Sequence, residues 1–273
     1  MKVFAIDLSI CNGCYCCQVA CKDEHVGNDW TPYAKPQPDT GQFWVGLTEL
    51  VRGQVPKVKI TYLVKMCQHC DDAPCIGACK VNAIEKRADG LVVINPEKCT
   101  GCQLCQDACP HDAIYFNEDL NIAQKCTGCA HLLDNATEAW HGPRCADNCP
   151  TGAIRFGEES EFKDFIKDAE LINPGAGTKS RVYYKGLPKK FIGGTLYDPS
   201  EKEVIIGAKC TLKDNASGET FTAETDNFGD FWFRGLKDDR MFTLTVKKGK
   251  ASKTIENVSS KIDLSLGDIP LGL

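Results

Sequence analysis

The sequence predicts an α+β domain built on a fourfold repeat, followed by a small all-β sandwich, and three observations lead there. Seventeen of the 18 cysteines in this 273-residue chain lie between Cys11 and Cys149. Within that stretch they recur in four similar runs, the signature of an internally repeated architecture. Beyond residue 160 only Cys210 remains, and the pattern becomes short β-branched segments separated by turn residues. A chain of this length can fill one large core or two modest ones.

Run one is Cys11-x2-Cys14-x2-Cys17-x3-Cys21, and run two is Cys67-x2-Cys70-x4-Cys75-x3-Cys79. Run three is Cys99-x2-Cys102-x2-Cys105-x3-Cys109-Pro110, and run four is Cys126-x2-Cys129-x15-Cys145-x3-Cys149-Pro150. After the last cysteine of runs two, three and four come three residues and then Ala-Ile, at Ala83-Ile84, Ala113-Ile114 and Ala153-Ile154. Runs one and three also open alike, from Ile6 to Ile10 and from Ile94 to Lys98. Each unit therefore reads as a short strand, a binding loop, one or two turns of helix, and another strand with its Ile facing the core. Repeated four times, this makes a tandem ferredoxin-like domain.

The stretch 22–66 is an insertion with Trp30, Trp44, Pro32, Pro36 and Pro38 but no clear period, so it reads as an ordered loop or a partner-facing excursion. Residues 157–173 carry a helical pattern through Phe162, Phe165, Ile166 and Leu171. Pro174-Gly175-Ala176-Gly177 ends it. The expected domains are 1–173, a linker at 174–190, and a β-domain at 191–273. Runs such as Val204-Ile205-Ile206, Thr220-Phe221-Thr222 and Phe242-Thr243-Leu244-Thr245-Val246 give six or seven strands, as in an immunoglobulin-like sandwich. The Cys…Trp…Cys core of antibody domains is missing.

The formal net charge of −5 argues against a nucleic-acid binder, which shows a basic patch. No apolar export segment or twin-arginine pair precedes Cys11, and stretches such as Leu91 to Ile94 are too short to insert in a bilayer. A soluble cytoplasmic chain is expected, reaching the periplasm only alongside a signal-bearing partner. Disulfides are disfavoured in that compartment. Zinc needs two separated ligand pairs, whereas every run here has four cysteines and the crowded x2-x2-x3 spacing serves no tetrahedral ion; run four, with its long gap, comes nearest to a zinc pattern. Run three matches the bacterial [4Fe–4S] signature through its proline, and in that pattern the fourth cysteine ligates a neighbouring cluster. Proline there turns the chain and offers no competing N–H. Four cubanes are expected, with the pairing of runs left open by spacing alone.

These runs resemble the iron–sulfur subunits of the dimethyl sulfoxide reductase family of molybdenum enzymes, which includes polysulfide and arsenate reductases. The resemblance covers residues 1 to about 160. It implies that run one pairs with run four and run two with run three. Cluster one would then take Cys11, Cys14, Cys17 and Cys149, and cluster two Cys126, Cys129, Cys145 and Cys21. Cluster three would take Cys67, Cys70, Cys75 and Cys109, and cluster four Cys99, Cys102, Cys105 and Cys79. It also implies a bis-pterin molybdenum cofactor on a larger catalytic subunit, with an external electron carrier or membrane anchor subunit as a further partner. Asp23-Glu24-His25, Asn28-Asp29-Trp30, Arg181 to Lys185 and the β-domain are similar to the small subunits of pyrogallol–phloroglucinol transhydroxylases. That branch lacks most ligands of run three, whereas Cys99, Cys102 and Cys105 are all present here. A complete wire fits a partner with net redox chemistry on a phenolic ring. The alternatives are a respiratory reductase partner, a free-standing polyferredoxin, or a zinc-binding interaction module.

Cys16 and Cys210 fall outside the ligand pattern and read as buried packing residues. Lys98 and Lys125 each precede the first cysteine of a run, where positive charge would raise a cluster's potential unless the side chain is simply solvated. His25, His69, His111, His131 and His141 read as residues around the ligands or at an interface, with His111 best placed to bond near a sulfur. Trp30, Trp44 and Trp140 read as core. No Ser-His-Asp set, phosphate loop or nucleotide fingerprint occurs, so no catalysis is expected of this chain by itself.

Overall fold

In the computed structural model, which describes residues 1–137 and 142–273, β1 (Lys2–Asp7) is buried on both faces. The pleat sends alternate side chains to opposite sides. Val3 and Ala5 meet Phe162 and Phe165, while Phe4 and Ile6 enter the main core with Leu8, Val64, Met66 and Tyr184. The next elements are α1 (Cys16–His25), β2 (Val45–Gln54), β3 (Lys57–Met66), α2 (Pro74–Ala78), β4 (Ile84–Lys86) and β5 (Val92–Ile94). Then come α3 (Leu104–Asp107), β6 (Ile114–Asn117), β7 (Ile122–Lys125), α4 (Ala130–Asp134), α5 (Arg144–Asp147) and β8 (Ile154–Glu158). The first unit closes with α6 (Lys163–Lys167) and β9 (Val182–Lys185). β1 is central in a sheet ordered β8-β1-β9, antiparallel to β8 and parallel to β9. β4 with β5 and β6 with β7 form separate hairpins. Trp140 and His141 lie outside the described residues.

The Ala-Ile repeat has a common geometry. Ala83, Ala113 and Ala153 are buried, and Ile84, Ile114 and Ile154 are buried openings of β4, β6 and β8. The residue before each Ala, namely Asn82, Asp112 or Gly152, has a left-handed φ of 50°, 49° or 67°. This turn lets the chain leave the cysteine and enter a strand at once.

The chain divides into two compact units, one of residues 1–49 and 62–187 and the other of 50–61 and 188–273. The insertion read as a loop thus contains the β2–β3 hairpin. Its pattern was legible in the alternation of Val58, Ile60, Tyr62 and Val64 but was obscured by the polar and glycine residues of β2. The helix expected over 157–173 is confined to a 3₁₀ turn at Glu159–Phe162 and α6. β8 occupies the start of that stretch through Glu158. Asp168 then leaves helical geometry, so Leu171 lies outside the helix.

The second unit adds β10 (Lys190–Asp198), β11 (Glu203–Val204), β12 (Lys209–Asp214), β13 (Thr220–Glu224), β14 (Asp230–Leu236), β15 (Met241–Lys248), β16 (Ala251–Ser259) and β17 (Leu264–Pro270). One sheet runs β11-β10-β14 with β17 on β10, and the other runs β13-β12-β15-β16. The β10–β17 pair is parallel. Alternate residues Phe231 and Phe233, Cys210 and Leu212, and Phe242, Leu244 and Val246 supply one shared apolar cluster. Within this unit the hairpin tip is tied down by Arg52, whose guanidinium donates to Asp263 at 3.2 and 3.1 Å. Lys57 is only 3% exposed, pairs with Asp230 and lies 5.6 Å from the centre of the Trp232 ring.

Leu212 is fully buried between the two sheets. Leu212→Ala should cost about 2–5 kcal/mol through lost burial and the cavity left behind. The expected sign is a lower denaturant midpoint at unchanged m; an unmoved midpoint would show that the two sheets do not depend on a shared core.

Candidate metal centres

The cysteine loops are shaped by their backbone. The residue before the second cysteine of each run is left-handed, with φ of 72° at Gly13, 44° at His69, 72° at Gly101 and 64° at Gly128. Glycine adopts that conformation without a Cβ penalty. At Gly101 a Cβ would also collide with Asn121, and at Gly128 with Leu91. The curl turns amides onto sulfur, as where Gly128 N–H donates to Cys126 Sγ at 3.4 Å. Ala83 N–H donates to Cys79 Sγ at 3.2 Å.

Strand pairing then joins distant runs. Ile6 pairs with Ile154, five residues before Cys11 and five after Cys149. Ile84 pairs with Ile94, five residues after Cys79 and five before Cys99. Helices join the others, with α1 packed on α5 and α2 on α3. α1 carries Cys17 and Cys21 inward at i and i+4, one face of a helix.

The thiols sort into groups of close neighbours. Burial raises Cys17 to about 11, with added repulsion from Cys11, Cys149 and Cys14. Burial pushes Cys145 well above the usual thiol range, and Cys126, Cys129 and Cys21 push it further. Cys75 is raised to about 12, first by burial, with Cys67, Cys109 and Cys70 adding to it. Cys105 is raised to about 11 by burial and by Cys99, Cys102 and Cys79. Cys149 moves the other way, because amides of Ile154, Thr151 and Ala153 and the Thr151 hydroxyl outweigh its burial.

The donor chemistry suits iron–sulfur clusters. Cys67, Cys70, Cys75 and Cys109 line one cavity with Val92, Ile114 and Pro74, an apolar space with thiols on its wall. Among the described residues no three His, Cys, Asp or Glu are gathered tightly enough for a single metal ion, as a tetrahedral zinc with Zn–S near 2.3 Å would require. Metal binding must overcome raised thiol pKa values by replacing the proton, since thiolate is the ligand form.

The histidines surround these thiols. His25 is buried, with Nε2 at 4.0 Å from Cys129 Sγ and its ring against Trp44. His69 Nδ1 accepts from the Val92 N–H at 3.0 Å, and burial holds it neutral with help from Lys125 and Lys86. His111 reaches sulfur only indirectly, because Nε2 meets Thr178 Oγ1 at 3.1 Å and Thr178 bonds Cys70. Thr178 was not legible in sequence, since it comes from a chain segment far from every run. His131 meets Glu24 at 2.9 Å, Arg144 Nε donates to the same carboxylate at 2.5 Å, and Trp30 stacks on His131. Burial would raise Glu24, but those partners hold its carboxyl low. Glu24, His131 and Arg144 lie on the three helices that bear Cys21, Cys145 and the chain after Cys129, so the network braces one thiol group.

Cys210 is fully buried in β12. Cys16 is exposed rather than buried. Cys17, Cys21, Glu24 and His25 define the inner face of α1, and Cys16 at its first position falls outside that face. Lys98 is exposed and Lys125 buried.

The 4Fe-4S dicluster domain family matches residues 58–159. The pyrogallol hydroxytransferase small subunit of Pelobacter acidigallici is 37% identical over 97% of this chain and 97% of its own length. A tetrathionate reductase subunit of Salmonella typhimurium is 34% identical over 68% of this chain and 73% of its own length. An anaerobic dimethyl sulfoxide reductase component of Escherichia coli is 33% identical over 63% of this chain and 80% of its own length. Among solved structures, the major pilin subunit of Bacillus cereus is matched at 16% identity over 34% of this chain and 31% of that one, with a TM-score of 0.25, too low to bear on the fold. Cysteine runs, backbone loops and full-length similarity agree, and the chain belongs to the iron–sulfur electron-transfer subunits of the dimethyl sulfoxide reductase family of molybdenum oxidoreductases.

Proposed function

We propose that this chain carries electrons through four [4Fe–4S] clusters to or from a bis-pterin molybdenum cofactor on a larger catalytic subunit. The observation that carries this reading is the sorting of the run thiols into four neighbour groups, each joining three cysteines of one run to the last of another. Cys11, Cys14, Cys17 and Cys149 would hold cluster one, and Cys126, Cys129, Cys145 and Cys21 cluster two. Cys67, Cys70, Cys75 and Cys109 would hold cluster three, and Cys99, Cys102, Cys105 and Cys79 cluster four. When bound, such a cubane takes up and releases single electrons at a potential tuned by charge, hydrogen bonds and exposure. The chain supplies that tuning through amide donors to sulfur and through apolar walls.

The groups also fall in sequence, with groups three and four meeting in one apolar cluster that holds Cys75 and Cys105 and packs against Cys79, Cys99 and Cys109. Cys17 acts on Cys21 and Cys145, which links groups one and two, and Cys67 acts on Cys126, which links groups three and two. Cys14 and Cys102 are the exposed run cysteines, so the path would open to partners at groups one and four. Two pairs of runs make the first unit a tandem ferredoxin-like domain, and two four-stranded sheets on one core support an immunoglobulin-like reading of the second. No described helix is long and apolar enough to cross a membrane, and we place the complex in the cytoplasm. Catalysis would belong to the partner, with no step performed by this chain.

Similarity over nearly all of the chain to the pyrogallol hydroxytransferase small subunit supports a phenolic substrate for that partner. Retention of Cys99, Cys102 and Cys105 beside Cys79 supports net hydroxylation or dehydroxylation with an external carrier. A respiratory partner is the second reading, supported by similarity to the tetrathionate reductase subunit.

Iron analysis of double variants tests the ligand groups. Cys109→Ala and Cys75→Ala should each remove one cubane's iron, and together no more than one, whereas Cys109→Ala with Cys105→Ala should remove two. Additive loss in the first pair would break the proposed pairing. For the substrate class, the purified complex should turn over a phenolic substrate only with an external donor or acceptor. Turnover without either would mean an internal transhydroxylation and defeat the net-redox reading.

A further inference from the structure

The two lysines that precede cysteine runs have opposite fates, and Lys125 is the informative one. Lys98 is solvated. Lys125 ends β7 with only 2% of its surface exposed. Its ammonium donates to the Val92 carbonyl and, at 2.9 Å, to the Cys126 carbonyl. Among the described residues it makes no ion pair. Lys86 shows what ordinary compensation looks like in the same region. It too donates to carbonyls, those of His69, Cys70 and Gly90, but it also pairs with Asp71 at 2.8 Å. A buried charge is costly unless something of opposite sign answers it, and none of the described residues answers Lys125.

Its position indicates what does. Lys125 lines the cavity of Cys67, Cys70, Cys75 and Cys109 and is bonded in sequence to Cys126 of the next thiol group. It acts electrostatically on both Cys75 and Cys126. His69, the other titratable group facing it, is held neutral. We propose that the Lys125 ammonium is a fixed positive charge shared by the two central clusters of the path, those of Cys67/Cys70/Cys75/Cys109 and Cys21/Cys126/Cys129/Cys145. This rests on the four-cluster reading above. A cubane with four thiolate ligands is anionic, and reduction adds one more negative charge with no bond broken and no proton moved. In a dry interior a nearby cation favours the reduced form strongly, since little solvent screens it. One ammonium serving both clusters would raise both potentials together. It would keep the two least solvated stations of the wire from becoming a barrier between the exposed ends.

The test is redox-titrated EPR on the purified complex, with signals assigned through Cys109→Ala and Cys21→Ala. Wild-type protein with fewer than four clusters would defeat the four-cluster reading itself. In a fully loaded Lys125→Met protein, two signals should move to lower potential, each by at least tenfold in the reduced-to-oxidised ratio, about 59 mV for one electron. The other two should stay in place, as should all four in Lys98→Met. Unmoved potentials in loaded Lys125→Met, or an equal shift of all four, would overturn the inference. If Lys125→Met loses iron, Lys125→Arg decides. Iron and potentials retained with arginine identify charge as the requirement, and iron lost there too would make Lys125 a packing residue only.

Discussion

The first unit depends on bringing cysteines that are far apart in the chain within reach of one another. Cys149 lies near Cys11, and Cys21 near Cys145. Backbone pairing does the first, because β1 and β8 meet in a register that leaves equal spans to the two cysteines. Helix packing does the second. The same sheet buries Val3 and Ala5 on one side and Phe4 and Ile6 on the other. The strand that fixes the thiol geometry is therefore also the centre of the apolar core, and the site and the fold cannot be separated energetically.

That merger explains the polar residues in the interior. Tyr184 is fully buried and donates to the Val64 carbonyl at 3.1 Å. Arg181 Nε donates to Asp71 Oδ1 at 2.5 Å and Arg181 Nη1 to Glu159 Oε2 at 3.1 Å. β9 and the residue before it are thereby bonded to β3, to run two itself and to the turn after β8. A buried polar group that finds its partner specifies one arrangement, whereas an unpaired one is costly. Glu24, His131 and Arg144 do the same around one thiol group, and a position change in any of the three helices would pull the buried Glu24 carboxylate away from His131 or Arg144.

Much of the architecture was legible in the chain. The Cys-x3-Ala-Ile repeat gave the turn, the strand opening and the buried Ile in three places, because a left-handed turn followed by a small residue and a β-branched one permits few other conformations. The β-unit was legible from alternation in β14 and β15. The hairpin of β2 and β3 was legible only in β3, since two glycines and four polar residues interrupt the apolar pattern of β2 and the tip's partners, Asp230 and Asp263, lie far away in sequence. Cys16 departs from expectation because composition says a free cysteine is buried, while its phase on α1 sets it outward. Its phase relative to Cys17 and Cys21 was the signal available.

The sequence by itself determined the chemistry, namely sixteen thiols in iron–sulfur spacing, the glycines that curl three of the loops, and a separate β-rich end. Those are local properties, carried by residue type and by distances of a few positions. Only the tertiary structure decided which thiols become neighbours, that Lys125 is buried while Lys98 is solvated, and that Thr178 and Glu24 reach the sites. Each of those outcomes turns on strand register and helix packing between segments up to more than a hundred residues apart. No local pattern encodes whether a lysine beside a cysteine points to water or into the gap between two groups of thiols.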